Sequence, residues 1–145
     1  MIVKSKEVRA AIKAAAGWSK LKFMVLSDRE WWLPEVENVE VMVHEVAVDR
    51  MSFIPPLFEC EEFALALVTA IRGRRADLYR AGKLQPERCR NWPLGIVCGT
   101  RFRGEDVDHW INVVATRQGI WMIEPQTGEM WQPQAGEDNI YFLLM

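Results

Sequence analysis

The spacing of the hydrophobic residues changes halfway along the chain, and this change limits the fold more than any other feature. In the first half they recur every three or four residues, as in Val8, Ile12 and Ala15 or in the run after Cys60, which is typical of helices with one buried face. The second half has strand-like apolar runs at residues 95–102, 109–115, 120–123 and 140–144. Helices followed by strands predict an α+β fold, in which the N-terminal helices, including the one that begins at Cys60, pack on an antiparallel β-sheet.

Other segments are assigned less directly. Residues 21–26 are short, apolar and extended in character. Residues 35–44 fit either a helix or a strand, and the helix is favoured because Pro34 is a good first helical residue. Gly73 is predicted to end the helix that begins at Cys60.

Composition limits the class of protein. The chain has 145 residues, half of them hydrophobic, so we expect a single domain over residues 1–145 with a core of its own. The formal net charge of -2 favours neither nucleic acid nor an anionic membrane as a partner. No apolar segment is long enough to span a bilayer, and the charged N-terminal residues resemble an amphipathic helix more than a signal peptide. We therefore expect a cytoplasmic protein.

The clustered arginines and the three cysteines each allow a functional interpretation and a structural one. The arginines at 72, 74 and 75 and at 88 and 90 are better explained by a solvated helix end and loop than by a phosphate site. The three cysteines, at positions 60, 89 and 98, are odd in number and irregularly spaced, which argues against a disulfide framework or a zinc site. We expect no structural metal.

Among the cysteines, Cys60 has neighbours in sequence that would affect the reactivity of its thiol. It lies in the run FECEEF, at the predicted start of a helix. A helix N-terminus and an adjacent imidazolium both lower the pKa of a thiol. Glu59, Glu61 and Glu62 oppose this effect, but side chains in the first turn can point outward and complement the helix dipole. Cys60 is therefore a candidate nucleophile, provided that a base lies within hydrogen-bond reach.

The chain has two histidines. His44 is interpreted as a partly buried helix residue. His109 opens a predicted strand after the polar loop 103–108, where a rigid scaffold can present a catalytic group. A lone histidine in a strand is more often structural than catalytic. To act as a base, His109 would need a third group that fixes its tautomer.

The register of the predicted hairpin decides which residue orients His109. If residues 115–118 form the loop, Glu124 falls directly opposite His109 on the same face. A tight turn at residues 117–118 would place Gln126 there instead. We favour Glu124 and keep Gln126 as the alternative.

These motifs resemble a known superfamily. FECEEFALAL is similar to the cysteine-helix motif of papain-like and transglutaminase-like cysteine peptidases, and DHWINVV followed by GIWMIEPQTG is similar to their histidine and acid strands. The chain looks most like bacterial transglutaminase-like cysteine proteinases and the peptidase domain attached to a mushroom agglutinin. The stretch WWLPEVENVEVMV, ahead of Cys60, is similar to the lead-in segment of that peptidase domain. The likeness covers residues 31–71 and 94–128.

The resemblance implies a cysteine-dependent amide-bond hydrolase, a peptidase or amidase that acts on a protein or peptide through a thioester. Cys60 would be the nucleophile, His109 the general base and then acid, and Glu124 the orienting group. Where papain-like enzymes usually carry a glutamine, six residues before the cysteine, this chain has Ile54. The second oxyanion donor is therefore left open between Trp31, Trp32 and another backbone amide, and Trp32 is taken as a candidate binding residue.

Further candidates accompany the triad. Trp110 and Gln126 are candidate binding residues beside the predicted site. No cofactor is required, although some relatives bind calcium with acids beside the cysteine, which makes Glu59 a candidate ligand. Two alternatives stay open: an inactive fold relative that serves as a binding or assembly module, and a protein-glutamine transglutaminase or deamidase. The sequence leaves the oligomeric state open.

Overall fold

A computed structural model describes the backbone of residues 1–145 and the side chains of all of them except 17, 19 and 20. The helices are α1 (Ser5–Ala14), α2 (Val36–Val46) and α3 (Cys60–Arg80). The strands are β1 (Ile2–Lys4), β2 (Phe23–Val25), β3 (Glu30–Trp32), β4 (Leu94–Thr100), β5 (His109–Thr116), β6 (Gly119–Ile123), β7 (Met130–Trp131) and β8 (Asn139–Leu144). Short 3-10 turns lie at Ala15–Lys20, Val48–Arg50, Pro86–Arg88 and Phe102–Gly104.

The main sheet has six strands in the order β2-β8-β4-β5-β6-β7, and β1 pairs with β3 in a separate two-stranded sheet. The central pairs are antiparallel, but β2 runs parallel to β8 at the edge. The prediction of an antiparallel sheet is therefore wrong, and the sheet is mixed. The parallel pair arises because β2 is contributed by the first half of the chain and crosses over to the last strand, a long-range pairing that local patterns do not encode.

Helices cover both faces of this sheet, and β5 shows how. Successive strand residues point to opposite faces. Ile111 and Val113 pack in one core with Ile12 of α1, whereas Val114 packs in a second core with Phe63 of α3. The sheet therefore forms a central layer between α1 and the pair α2–α3.

Helix α3 begins at Cys60, as predicted. Its start is fixed by a capping box, in which the Glu59 side chain accepts from the backbone at Glu62 and Glu62 Oε2 accepts from the Glu59 backbone N–H at 2.8 Å. Such reciprocal bonds satisfy N–H groups that have no partner inside the helix. The acidic run around Cys60 thus serves the helix end.

The predicted end of this helix is wrong, because α3 continues past Gly73 to Arg80. A Cβ at Gly73 would have no neighbour within 4 Å, so the glycine lies in an open part of the helix surface, where it is tolerated at a modest energetic cost. Residues 36–44 fall in α2, which confirms the favoured helix over the strand, but the helix begins at Val36 with Glu35 as its N-cap, so Pro34 lies before it.

The helices can be compared with the length and hydrophobicity that a membrane span requires. Over the residues that the structure describes, no helix is both long and apolar enough to cross a bilayer. That residues 1–145 form a single domain stays a prediction.

Candidate functional site

His109 and Glu124 meet at one end of the sheet. His109 is the first residue of β5, and Glu124 directly follows β6. His109 Nε2 lies 2.7 Å from Glu124 Oε2, and both side chains are largely buried. The other oxygen of Glu124 accepts from the Gln126 backbone N–H at 3.1 Å. Glu124 therefore fixes the orientation of the imidazole, as the orienting group of such a pair must.

The hairpin that joins β5 to β6 does not have the favoured register. Thr116 pairs with Gly119, so the turn is the tight one at residues 117–118, and the Thr116 hydroxyl supports it by donating to the Gly119 carbonyl at 2.9 Å. Glu124 reaches His109 nevertheless, because β6 ends at Ile123 and the chain turns there. Glu124 thus contacts His109 from just beyond the last paired residue of β6, and not as the directly opposite cross-strand residue that was predicted.

A cleft of about 560 Å³ opens beside this pair. Its lining combines aromatic, charged and amide side chains: Phe102, Arg103, Glu105, His109, Glu124, Gln126, Thr127, Glu129 and Trp131. The ring of Phe102 meets that of His109 edge to face, with centroids 6.3 Å apart. Clefts of this size, with an apolar wall and a few oriented polar groups, are the usual sites for small ligands.

An ion pair and a cation–π contact connect the residues of the outer wall of the cleft. Arg103 Nη1 donates to Glu129 Oε2 at 2.6 Å, and the Arg103 guanidinium lies over the Trp131 ring at 5.2 Å. These contacts place Arg103 beside Trp131, although the side chains of Arg103 and Glu129 are both more than half exposed. The pair encloses one side of the cleft.

Asp138 supports that wall from inside. Its side chain is 1 % exposed and accepts from Trp131 Nε1 at 3.1 Å, from the Arg103 backbone N–H at 3.2 Å and from the Gln134 backbone N–H at 2.8 Å. Hydrogen bonds to an ionised acceptor are stronger than neutral ones. Asp138 therefore connects the loop at Arg103 to the segment that holds Trp131 and Gln134.

Cys60 lies at the same end of β5 but makes different contacts. Its thiol donates to Glu61 Oε2 at 3.4 Å, and the backbone N–H of Trp110, the residue after His109, lies near enough to its sulfur to lower its pKa. The structure shows no hydrogen bond between Cys60 and His109. Burial raises the pKa of the Cys60 thiol, and Glu61 adds to the rise, while the Trp110 N–H opposes it. The catalytic roles predicted for Cys60, His109 and Glu124 stay a prediction.

The predicted binding residues divide between the cleft and other places. Gln126 lines the cleft. Trp110 is half-buried and packs against Phe142, with centroids 5.7 Å apart. Trp32 lies elsewhere in the fold, where its backbone N–H donates to the Asn91 carbonyl at 2.9 Å and its ring lies under Arg88.

The remaining candidates are placed as follows. Glu59 is engaged in the capping box of α3, and among the side chains that the structure describes no group of three or more histidine, cysteine or acidic residues could hold a metal ion. The calcium expectation is untested. Cys98 is buried beside Tyr141 and Cys89 is exposed. His44 is exposed on α2 rather than partly buried.

Sequence reasoning missed most of the cleft wall. Phe102 lies before β5, whereas Glu129, Trp131 and Asp138 lie in the segment 129–138 after β6, and no motif joins the two segments. The polar loop 103–108 was the available signal, since it was already placed next to His109. Only the folding of β7 and β8 onto the sheet brings the other residues to it.

Comparisons with known proteins identify the fold. No family model matches the chain, and no curated protein matches it. The chain is similar to the solved PSL1a–E64 complex, with a TM-score of 0.76 and 17 % identity over 99 % of this chain and 51 % of that one. It is also similar to Polyporus squamosus lectin bound to the human-type influenza-binding epitope Neu5Aca2-6Galb1-4GlcNAc, with a TM-score of 0.75 and 17 % identity over 99 % of this chain and 49 % of that one. The chain thus spans about half the length of both.

These comparisons correct the assignment made from sequence. The motifs around Cys60, His109 and Glu124 predicted a papain-like or transglutaminase-like cysteine peptidase, whereas the solved structures that share this fold are named as a lectin and as PSL1a. The family assignment, the papain-like fold class and the hydrolase function drawn from it are therefore replaced by a likeness to lectin chains. At 17 % identity this likeness shows the fold alone.

Proposed function

We propose that this chain is a ligand-binding domain and that its ligand is a saccharide held in the cleft beside His109 and Glu124. The observation that carries the proposal is the lining of that cleft, which places aromatic rings next to oriented polar groups in a space of about 560 Å³. A sugar needs both, because its C–H faces pack on aromatic rings while its hydroxyl groups require donors and acceptors. A solved structure of similar fold is named as a lectin bound to a glycan.

The rigid groups of the cleft suit hydroxyl recognition. Glu124 is held by His109 and by the backbone at Gln126, so its carboxylate has a fixed direction. Trp131 is held by Asp138. Groups that are ordered before the ligand arrives lose little conformational entropy on binding, which favours affinity. Gln126 adds an amide that can both donate and accept.

The charge of the lining favours a neutral saccharide over an acidic one. Glu105, Glu124 and Glu129 contribute three carboxylates against the one guanidinium of Arg103, which leaves an excess of two negative charges when His109 is neutral. Arg103 is itself paired with Glu129. An anionic sugar such as the Neu5Ac named for the lectin complex would meet like charge in this cleft, which is unfavourable.

Isothermal titration tests this proposal. We expect the wild-type chain to bind a neutral disaccharide such as lactose or chitobiose more tightly than sialyllactose. We expect Trp131→Ala to weaken binding about tenfold or more, since a central aromatic contact is usually dominant. Val41→Ala, at an exposed position on α2, is the matched control and should bind as the wild type does. Failure of all these sugars to bind at millimolar concentration would remove the proposal.

A second candidate function rests on a separate observation. Cys60 and the His109–Glu124 pair lie at the same end of β5, and the other solved structure is a complex with E64. We propose that the three residues form a reactive thiol centre that captures an electrophile such as an epoxide. The sulfur of Cys60 would open the epoxide, forming an S–C bond and breaking a C–O bond, and the freed oxygen would take the proton that the thiol gives up. Hydrolysis of amide bonds is no part of this proposal.

The carboxylate of Glu61 is expected to restrain this thiol. Its hydrogen bond and its charge both raise the pKa of Cys60, so Glu61→Gln should lower that pKa and increase the thiolate fraction near neutral pH. Because one pKa unit changes this fraction tenfold, we expect alkylation of Cys60 by iodoacetamide at pH 7.5 to rise about two- to tenfold. Peptide mass spectrometry measures the rate.

Cys89 is the internal control for this measurement, because it is exposed and distant in sequence from the substitution. Its alkylation rate should not change in Glu61→Gln. The same peptides report whether E64 adds to Cys60, and His109→Ala should slow that addition. Equal rates for Cys60 in wild type, Glu61→Gln and His109→Ala, together with no E64 adduct, would exclude the thiol centre.

A further inference from the structure

The arginine-rich segment of α3 lines a second cavity, away from the cleft. This cavity has a volume of about 340 Å³, and its lining includes Arg72, Arg75, Tyr79, Cys89, Arg90 and Asn91. None of these residues lines the cleft beside His109. The expectation that these arginines form a solvated helix end and loop is therefore too simple, since three of them line one cavity.

Arg75 is the residue that sets this cavity apart. Its side chain is 7 % exposed, which is rare for an arginine. Its Nη2 donates to the carbonyls of Arg88 and Arg90 at 2.8 Å and 2.9 Å, and its guanidinium carbon lies over the Trp92 ring at 4.5 Å. Burial lowers its pKa to about 10, so it remains charged at neutral pH. Those contacts use one nitrogen and one face of the group.

This buried guanidinium forms no ion pair with a carboxylate in the part of the chain whose side chains the structure describes. Among the described side chains, the nearby arginines that form ion pairs are Arg74 with Glu45, Arg80 with Asp77 and Arg90 with Glu30, and Arg75 forms none. Burying an uncompensated charge is costly. The fold therefore places a guanidinium that has carbonyl partners, but no carboxylate partner among the described residues, at the wall of a cavity.

Arg72, about one turn earlier on the same helix, has a buried nitrogen, Nε, without a hydrogen-bond partner among the described residues. A buried donor without a partner is unusual in a folded protein and calls for a missing acceptor. Arg72 and Arg75 are three residues apart, which places them on one face of α3.

We propose that this cavity, walled by Arg72 and Arg75, binds the oxyanion group of a small molecule, a phosphate or a carboxylate. The guanidinium group presents paired N–H donors in a plane, which matches the oxygens of both anions. Tyr79 and Asn91 in the lining offer further polar contacts, and Arg90 adds positive charge even while paired with Glu30. The ligand would supply the counter-charge that Arg75 lacks and an acceptor for Arg72.

Thermal unfolding tests this site with inorganic phosphate and, in a separate series, with acetate. Each is titrated at constant ionic strength against sodium chloride, so that only specific binding shifts the Tm. A ligand that binds only the folded state stabilises it, and at ten times its Kd we expect a saturable rise in Tm of about 3–6 °C. A response to phosphate, to acetate or to both supports the site and identifies which anion it takes.

Substitutions separate anion binding from a purely structural role. Arg72→Gln should lose the response while remaining folded, because Arg72 is only partly buried. Arg75→Lys keeps the charge without the planar fork and should weaken the response at least threefold. Arg80→Gln, exposed on the same helix, is the control and should respond as the wild type does. No saturable shift in the wild type, or an equal shift in Arg72→Gln and Arg80→Gln, would overturn the proposal.

Discussion

Gly99→Ala is expected to destabilise the protein by about 3 kcal/mol or more, since overpacking of this kind has no cheap relaxation. A Cβ at Gly99 would lie 2.1 Å from the Asn139 carbonyl oxygen and 2.9 Å from the Ile140 Cα, both backbone atoms of β8. Strand β4 would have to move away from β8 at the point where their register shifts. Urea unfolding followed by circular dichroism measures the loss as a lower midpoint.

Gly73→Ala provides the matched control within the same chain. It makes the same chemical change, but a Cβ there meets nothing within 4 Å and the position lies inside α3. We expect it to stabilise the protein by about 0.5–1 kcal/mol, because alanine restricts the unfolded chain and favours a helix. If Gly99→Ala unfolded at the same urea concentration as wild type, the close approach of β4 and β8 would be wrong.

Asp138→Ala is expected to have the second large effect, a loss of about 3–5 kcal/mol, as when a buried hydrogen-bonded charge is removed from its partners. The substitution leaves Trp131 Nε1 and the backbone N–H groups of Arg103 and Gln134 without their acceptor. Denaturant unfolding measures the change. Because Trp131 and Arg103 line the cleft, we also expect weaker saccharide binding in the fraction that remains folded.

Asp77→Ala distinguishes this effect from the loss of any aspartate. Asp77 is exposed, and its recorded side-chain bond is to Arg80, so its removal should cost less than about 1 kcal/mol. Asp138→Asn keeps the size of the side chain but replaces one acceptor oxygen with an N–H₂ donor, which faces N–H groups. An Asp138→Asn protein as stable as wild type would mean that the carboxylate is not the acceptor of these bonds.

The candidate site shows which contacts local patterns can predict. The start of α3 at Cys60 and the contact between His109 and Glu124 were both expected from the sequence, because a helix start and a hairpin are short-range features. The contact forms although the predicted register is wrong, since the tight turn after Thr116 shifts the pairing and the chain bend after Ile123 restores the approach. A motif can therefore locate a pair of residues without its strand register being correct.

Unlike the contact between His109 and Glu124, the function predicted from those motifs was wrong. Cys60, His109 and Glu124 predicted a cysteine peptidase, and the solved structures of similar fold replaced that assignment by a likeness to lectin chains. The structure also differs from the low thiol pKa expected at the helix start, because burial raises the pKa of Cys60 and Glu61, which accepts a hydrogen bond from the thiol, adds to the rise. The type of residue was visible in sequence, but the direction of its side chain was not.

By itself the sequence determined the local elements of this protein: an amphipathic α1, the helix that starts at Cys60 and the hairpin of β5 and β6, all of which depend on hydrophobic spacing and capping within a few residues. Tertiary structure alone decided the parallel pairing of β2 with β8, the cleft wall built on Asp138, and the burial of Arg75. Each of these joins segments far apart in the chain, and its energy depends on desolvation and on partners that the local pattern does not specify.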